Sequence, residues 1–262
     1  MRLVTALIRE AIESCQRSVR KIFVNGLRLP DSKFTNLNEV IKDGISLSYG
    51  FLSVKECKVL RDKIDSSIAD QNVKVVVDDQ GSDHRIFFAD QLDPVFSEIY
   101  HNSFVRKLLK NYVGCENPQG MLLASRIDAV EGNIGSGGGW HRDSPFSHQF
   151  KAIFYLNSVG HDGGPFQYIK NSHSKISVLA SYFNRALIPA STRFTEDEVA
   201  IYNNLSNSAI SEIVANEGSV IFADTKGIHR GKPIVKGSRY ALTCYFWVGD
   251  IPKHIDALRQ IS

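Results

Sequence analysis

Cysteine is scarce and scattered in this chain of 262 residues: Cys15, Cys57, Cys115 and Cys244 form no CxxC pair. That excludes a zinc knot and a disulfide framework, fits a reducing compartment, and leads us to expect a cytoplasmic location. Long apolar runs are missing too. None reaches the roughly 18 residues of a membrane span, so no stable membrane insertion is expected. The first 23 residues carry Arg9, Glu10, Glu13, Arg17, Arg20 and Lys21 among their apolar members, which argues against a signal peptide. An amphipathic helix packed on the domain is the expected form. Its mainly basic polar side leaves a membrane-surface or partner helix as the alternative. Excess charge is small, at +3 with a pI of about 8.6. Nucleic acid is therefore not an expected partner, whereas mild positive charge would help attract an anionic substrate. Repeats and low-complexity tracts are absent. Gly132 to Gly139 is glycine-rich, but no Lys-Ser/Thr follows, so a phosphate loop is excluded. No G-x-S-x-G elbow exists for a serine hydrolase.

What is present points to one domain spanning residues 1–262, because 43% hydrophobic residues suit a single sizeable core. Residues 1–120 read as mainly helical support. Cys57, Leu60 and Ile64 follow helical spacing behind a Ser53 cap, and Asp93 to Tyr112 suits one or two helices. From Met121 the texture turns to short strands: Met121–Val130, Lys151–Val159, Pro165–Lys170, Gly218–Ala223 and Arg239–Val248. This all-β core with helical additions reads as a double-stranded β-helix, or jelly roll, over 121–250. Residues 177–217 read as an irregular, lid-like insertion, with a capping box from Thr195 to Glu198. The oligomeric state stays open.

His141-Arg142-Asp143 carries the chemistry. Side chains at i and i+2 of an extended segment share a face, so His141 and Asp143 can offer an imidazole nitrogen and a carboxylate oxygen to one metal. His229, 86 residues after Asp143, completes a 2-His-1-carboxylate set with open positions, the pattern of non-haem Fe(II) oxygenases. A second copy of the pattern, His254-Ile255-Asp256, has no later histidine and falls in an expected helix, where i and i+2 diverge. Ten residues after His229, Arg239 offers a guanidinium that grips carboxylates through two parallel bonds. Thr243 shares its strand face. His148, Arg126 and Lys151 are candidates for the cavity border, and His173 for supporting a turn.

The chain resembles the phytanoyl-CoA dioxygenase-like family of Fe(II)/2-oxoglutarate oxygenases. The resemblance rests on Asp43-Gly44-Ile45, Gly50-Phe51-Leu52-Ser53, Trp140 to Ser144, Gly163 to Ile169, Asn171-Ser172-His173, Gly218 to Asp224, Ile228 to Gly231 and Ser238-Arg239-Tyr240. Asn171 stands where the family usually has glycine. The resemblance implies Fe(II) on His141, Asp143 and His229. It implies 2-oxoglutarate as co-substrate with its distal carboxylate on Arg239, Thr243 adding a hydrogen bond, O2 as oxidant and a small-molecule substrate. It also implies hydroxylation rather than halogenation, because related halogenases carry a small residue at the Asp143 position. The alternative is a metal-binding jelly-roll protein without 2-oxoglutarate chemistry: a sensor, a binding module, a hydrolase or an isomerase.

Overall fold

The computed structural model describes residues 2–25 and 35–260. The first of these stretches is one long helix, α1 (Arg2–Asn25). Next come α2 (Thr35–Asp43), β1 (Ile45–Ser48) and α3 (Val54–Ala69). Ser53 caps α3 as expected: its hydroxyl accepts from Glu56 N, and the Glu56 carboxylate accepts from Ser53 N. Two short strands, β2 (Val76–Val77) and β3 (Asp83–Ile86), precede α4 (Pro94–Tyr100) and α5 (Ser103–Val113).

The strand-rich part holds β4 (Gln119–Asp128), β5 (Phe150–Tyr155) and β6 (Phe166–Ile169). It continues through α6 (Lys175–Phe183), α7 (Glu196–Ser206), β7 (Ile210–Ile213), β8 (Val220–Asp224), β9 (His229–Gly231), β10 (Ser238–Trp247) and α8 (Lys253–Asp256).

The strands form two antiparallel sheets. Seven run in the order β1-β8-β5-β10-β4-β3-β2, and three in the order β7-β6-β9. Hydrogen bonding does not close them into one barrel among the described residues, so the expected barrel is observed as two separate sheets. Alternation along β10 divides its side chains between two layers. Leu242, Cys244 and Phe246 pack against the helices, with Leu60, Leu108 and Tyr112 in the same cluster. Ala241 lies in the opposite cluster with Ile153, Tyr155, Phe166 and Tyr168, between the sheets.

One expectation is corrected here. Residues 177–217 are not irregular: they contain most of α6, all of α7 and strand β7, which belongs to the smaller sheet. The Thr195–Glu198 capping box does start α7. Helix α1 is amphipathic and packs on the domain as expected, against α5 and α6, and it is the charged side that turns inward. Glu10 is buried against Lys226 at 2.8 Å, while Ile8, Ile12 and Ile22 face solvent. No helix among the described residues is long and apolar enough to cross a membrane.

Candidate metal centre

Backbone pairing brings the three candidate ligands together. His141 forms an antiparallel bridge with His229 at the edge of the small sheet, with N–H to O distances of 2.9 and 2.8 Å. Two residues beyond His141, Asp143 N donates to Thr225 O at 2.9 Å, which fixes the backbone that carries the carboxylate. The ligand atoms of His141, Asp143 and His229 all lie within 4.8 Å of one another, a group that could hold a metal ion. Asp143 Oδ1 is 3.8 Å from His141 Nε2, and Oδ2 is 3.9 Å from His229 Nε2.

Each imidazole is oriented through its other nitrogen. His141 Nδ1 donates to Gly139 O at 2.8 Å and His229 Nδ1 to Gly227 O at 2.9 Å. This puts the proton on Nδ1 and turns the Nε2 lone pair toward the shared space. Burial lowers the His141 pKa to about 4 and His229 well below its ordinary value, so both rings are neutral at pH 7. His229 Nε2 is buried with no hydrogen-bond partner. An orphaned, neutral, inward-facing donor atom beside a second imidazole and a carboxylate fits a divalent metal.

Lys151 stands beside this group, as the cavity-border reading allowed. Its Nζ is 2.6 Å from Asp143 Oδ2 and 4.2 Å from the Tyr245 ring centre. Burial works against both charges, yet each outweighs it for the other. The Asp143 carboxyl is held well below the ordinary range and the Lys151 ammonium is raised. Lys151 shares its face of β5 with Ile153 and Tyr155, so strand alternation alone assigns it to the cavity wall.

The cavity has a volume of about 360 Å³. Arg239, Ala241, Thr243 and Tyr245 of β10 line it, so Arg239 and Thr243 share the expected face. Arg239 is buried. Its guanidinium donates to Gly164 O, while its Nε has no partner. Burial lowers its pKa, a sign of a cation short of solvation or of an anion. A methyl group on Gly231 would come within 3.1 Å of Arg239 Nη2, and one on Gly137 within 2.3 Å of the His141 ring. These glycines admit side chains that need the space. The Gly132–Gly139 stretch is thus partly packing on a ligand.

Other candidates lie elsewhere. His148 is on the far side of β8, where its Nδ1 donates to the fully buried carboxylate of Asp224. Arg126 pairs with Asp65 and Asp128. His173 Nε2 donates to Ile41 O at 3.2 Å, in keeping with a turn support. Asn171 has φ 62°, a left-handed position that asparagine tolerates, which explains its use in place of glycine. His254 and Ile255 line the cavity mouth from α8, outside any metal group among the described residues.

Sequence reading missed the Asp224 knot. Burial opposes its charge, but His148, His173 and Arg17 outweigh that and keep the carboxyl far below its ordinary range. Tyr112 and His148 both donate to its Oδ2, and Lys226 N donates to Oδ1 at 3.0 Å. The knot holds the turn from β8 to β9, and so the approach to His229.

His148 gives a pH prediction. Burial pulls its pKa down from 6.5 to about 4, although Asp224 opposes the shift. A base depressed on folding binds fewer protons folded than unfolded, so stability is full above pH 6.5 and falls as pH drops toward 4. For this group alone the loss between pH 7 and pH 5 is roughly 1–2 kcal/mol. Urea denaturation at the two pH values measures it, and His148→Asn should flatten that part of the profile.

No family model matches the chain, and no curated protein matches it in sequence. Solved structures do match. The epimerase SnoN of nogalamycin biosynthesis, in complex with Fe3+, alpha-ketoglutarate and nogalamycin RO, aligns with a TM-score of 0.60 at 14% identity, covering 80% of this chain and 81% of that one. HygX from Streptomyces hygroscopicus, with nickel, 2-oxoglutarate and hygromycin B bound, gives 0.53 at 13% identity over 81% and 86%. EctD from S. alaskensis in its apoform gives 0.61 at 14% identity over 83% and 76%. The chain thus has the fold of non-haem iron, 2-oxoglutarate-dependent enzymes.

Proposed function

We propose that the chain is an Fe(II)/2-oxoglutarate-dependent dioxygenase, acting in the cytoplasm, that hydroxylates a small organic substrate. One observation carries this reading. Three donor atoms within 4.8 Å of one another share a cavity with a buried, under-partnered Arg239. Arg239 reaches Gly231, two residues beyond His229 on β9. Two residues of strand are about 6.6 Å, a fitting span for a five-carbon dicarboxylate anchored at both ends.

In this reading His141 and His229 hold Fe(II) through neutral Nε2 atoms, and Asp143 holds it through one carboxylate oxygen. Lys151 keeps the other oxygen and so orients the ligand. When bound, iron and 2-oxoglutarate would supply oxidation by O2, with release of succinate and CO2. Arg239 fixes the distal carboxylate, and Thr243 offers a hydroxyl from the same wall. Arg193 adds a cation to the lining, beside Arg85 whose charge is already paired with Asp83, which suits a polar or anionic substrate. SnoN is described as an epimerase, so a shared fold does not fix the outcome of hydrogen abstraction. Product mass decides between addition of one oxygen and a change of stereochemistry.

The test is succinate release from 2-oxoglutarate that requires iron. A metal-binding protein without this chemistry would produce none, with any candidate substrate and at any iron loading.

Residues 177–217 are proposed to cover the site. Thr192 and Arg193 line the cavity, and Arg193 bridges to His141. Closure would exclude water from the oxidant. Once a turnover substrate is in hand, hydrogen exchange across this segment should slow on its addition, and more than in β5 or β10. Equal exchange in both states would remove the lid and leave the metal assignment standing.

A further inference from the structure

Helix α1 is inside out. Its charged residues face the protein: Glu10 pairs with Lys226, Glu13 with Arg20 at 3.1 Å, and Arg17 donates to Tyr112 O at 3.3 Å while its guanidinium sits over the Tyr112 ring. Lys21 lies 5.4 Å from the same ring. Outward-facing residues are the reverse. Val4, Ile8, Ile12, Val19 and Ile22 are each 45–60% exposed, and Phe23 is 84% exposed. Among the exposed residues of 3–24, only Arg9 carries a charge.

The outward residues follow a pattern. Ile8, Ile12, Cys15, Val19 and Ile22 are spaced by four, three, four and three. A period of 3.5 is the narrow seam of two paired helices. Ala11, Gln16 and Ser18, which flank the seam, are small or uncharged and exposed. A second helix can therefore come close, at the usual 8–10 Å between axes, without opposing like charges. At about 36 Å the helix is long enough for several layers of such contacts. Neighbouring α6, linked to α1 by Lys175 Nζ and Ser14 Oγ at 3.4 Å, exposes Ile176 and Phe183.

We propose that this face of α1 is the contact between two copies of this chain, with the helices packed antiparallel across a two-fold axis. The seam has apolar residues on both sides of its midpoint, which two-fold self-pairing needs. A lipid surface is the weaker occupant. Helices that bind it present Lys and Arg beside the apolar face, and here Arg17, Arg20 and Lys21 are turned to the protein. Antiparallel pairing brings the two Cys15 residues to within about 10 Å, since each lies near the middle of its helix. The proposal is independent of the oxygenase reading.

Sedimentation equilibrium of the full chain at micromolar concentration tests it. We expect twice the 29.2 kDa chain mass for the wild type, and the single-chain mass for the double variant Ile12→Glu/Val19→Glu. Both substituted side chains face solvent in the single chain, so the double variant should keep the far-ultraviolet circular dichroism of the folded wild type, with its melt lowered only by the loss of association. A short bis-maleimide should join two wild-type chains, and Cys15→Ser should abolish the product. That arm stands even if the double variant fails to fold. A single-chain mass for the wild type, a double variant that folds and stays dimeric, or unchanged cross-linking in Cys15→Ser would each overturn the proposal. A wild-type monomer that co-floats with phosphatidylcholine/phosphatidylglycerol vesicles would assign the face to lipid instead.

Discussion

Replacing Asp143 with alanine is expected to remove metal and turnover together. His141 and His229 would remain as a two-imidazole site, without the carboxylate whose oxygens approach both rings. Lys151 makes matters worse. Its ammonium, 2.6 Å from Asp143 Oδ2, would lose its partner and stay as an uncompensated buried cation beside the metal position. Outer residues around metal ligands typically cost 10–100-fold in affinity, and a ligand itself should cost more than about 100-fold. Metal analysis after anaerobic loading should give one iron per wild-type chain and close to none in the variant, with succinate release falling in parallel. Full occupancy and full turnover in Asp143→Ala would place the metal elsewhere.

Arg239→Ala should give the second large effect, this time on the co-substrate. A charge-assisted, two-bond grip on a carboxylate is worth roughly 1.5–3 kcal/mol. That converts to about 10- to 150-fold in affinity. Arg239 is buried with an unpartnered Nε, so a carboxylate in the cavity would satisfy a donor that otherwise has no partner. The 2-oxoglutarate concentration for half-maximal succinate release should rise by that factor while iron content stays at one per chain. An unchanged requirement would mean that another cation, with Arg85 the first candidate from the lining, holds the distal carboxylate.

The His141 and Asp143 half of the candidate metal group was legible in the sequence because its geometry is local, whereas His229, 86 residues after Asp143, was legible through the Ile228 to Gly231 stretch of the family resemblance. Spacing of i and i+2 places His141 and Asp143 on one face, and alternation along β10 assigns Arg239 and Thr243 to the cavity. Lys151 was open to the same argument through Ile153 and Tyr155. The Asp224 knot was not, because Tyr112, His148 and Asp224 meet across separations of 76 to 112 residues. Nor was the wall contributed by α8, whose His254 and Ile255 arrive from beyond the last strand. Strands β2 and β9, of two and three residues, are too short for their pattern to stand out from turns. Helix α1 shows a different limit. An amphipathic period says that one face differs from the other, not which one packs. Here the surface beneath Glu10 to Lys21 is polar, with Lys226, Tyr112 and Asp224, so the charged side is buried there, while Leu3 and Ala6 pack on Val178, Tyr182 and Phe146.

Calorimetric titration of the metal-free chain, under nitrogen, separates metal binding from co-substrate binding. Fe(II) is added first and 2-oxoglutarate second. We expect one metal site per chain, binding of 2-oxoglutarate only after the metal, loss of both in His229→Ala, and in Arg239→Ala a weakening of the second alone by about 10- to 150-fold. Metal binding that persists unchanged in His229→Ala, or 2-oxoglutarate binding that ignores the metal, would contradict this expectation.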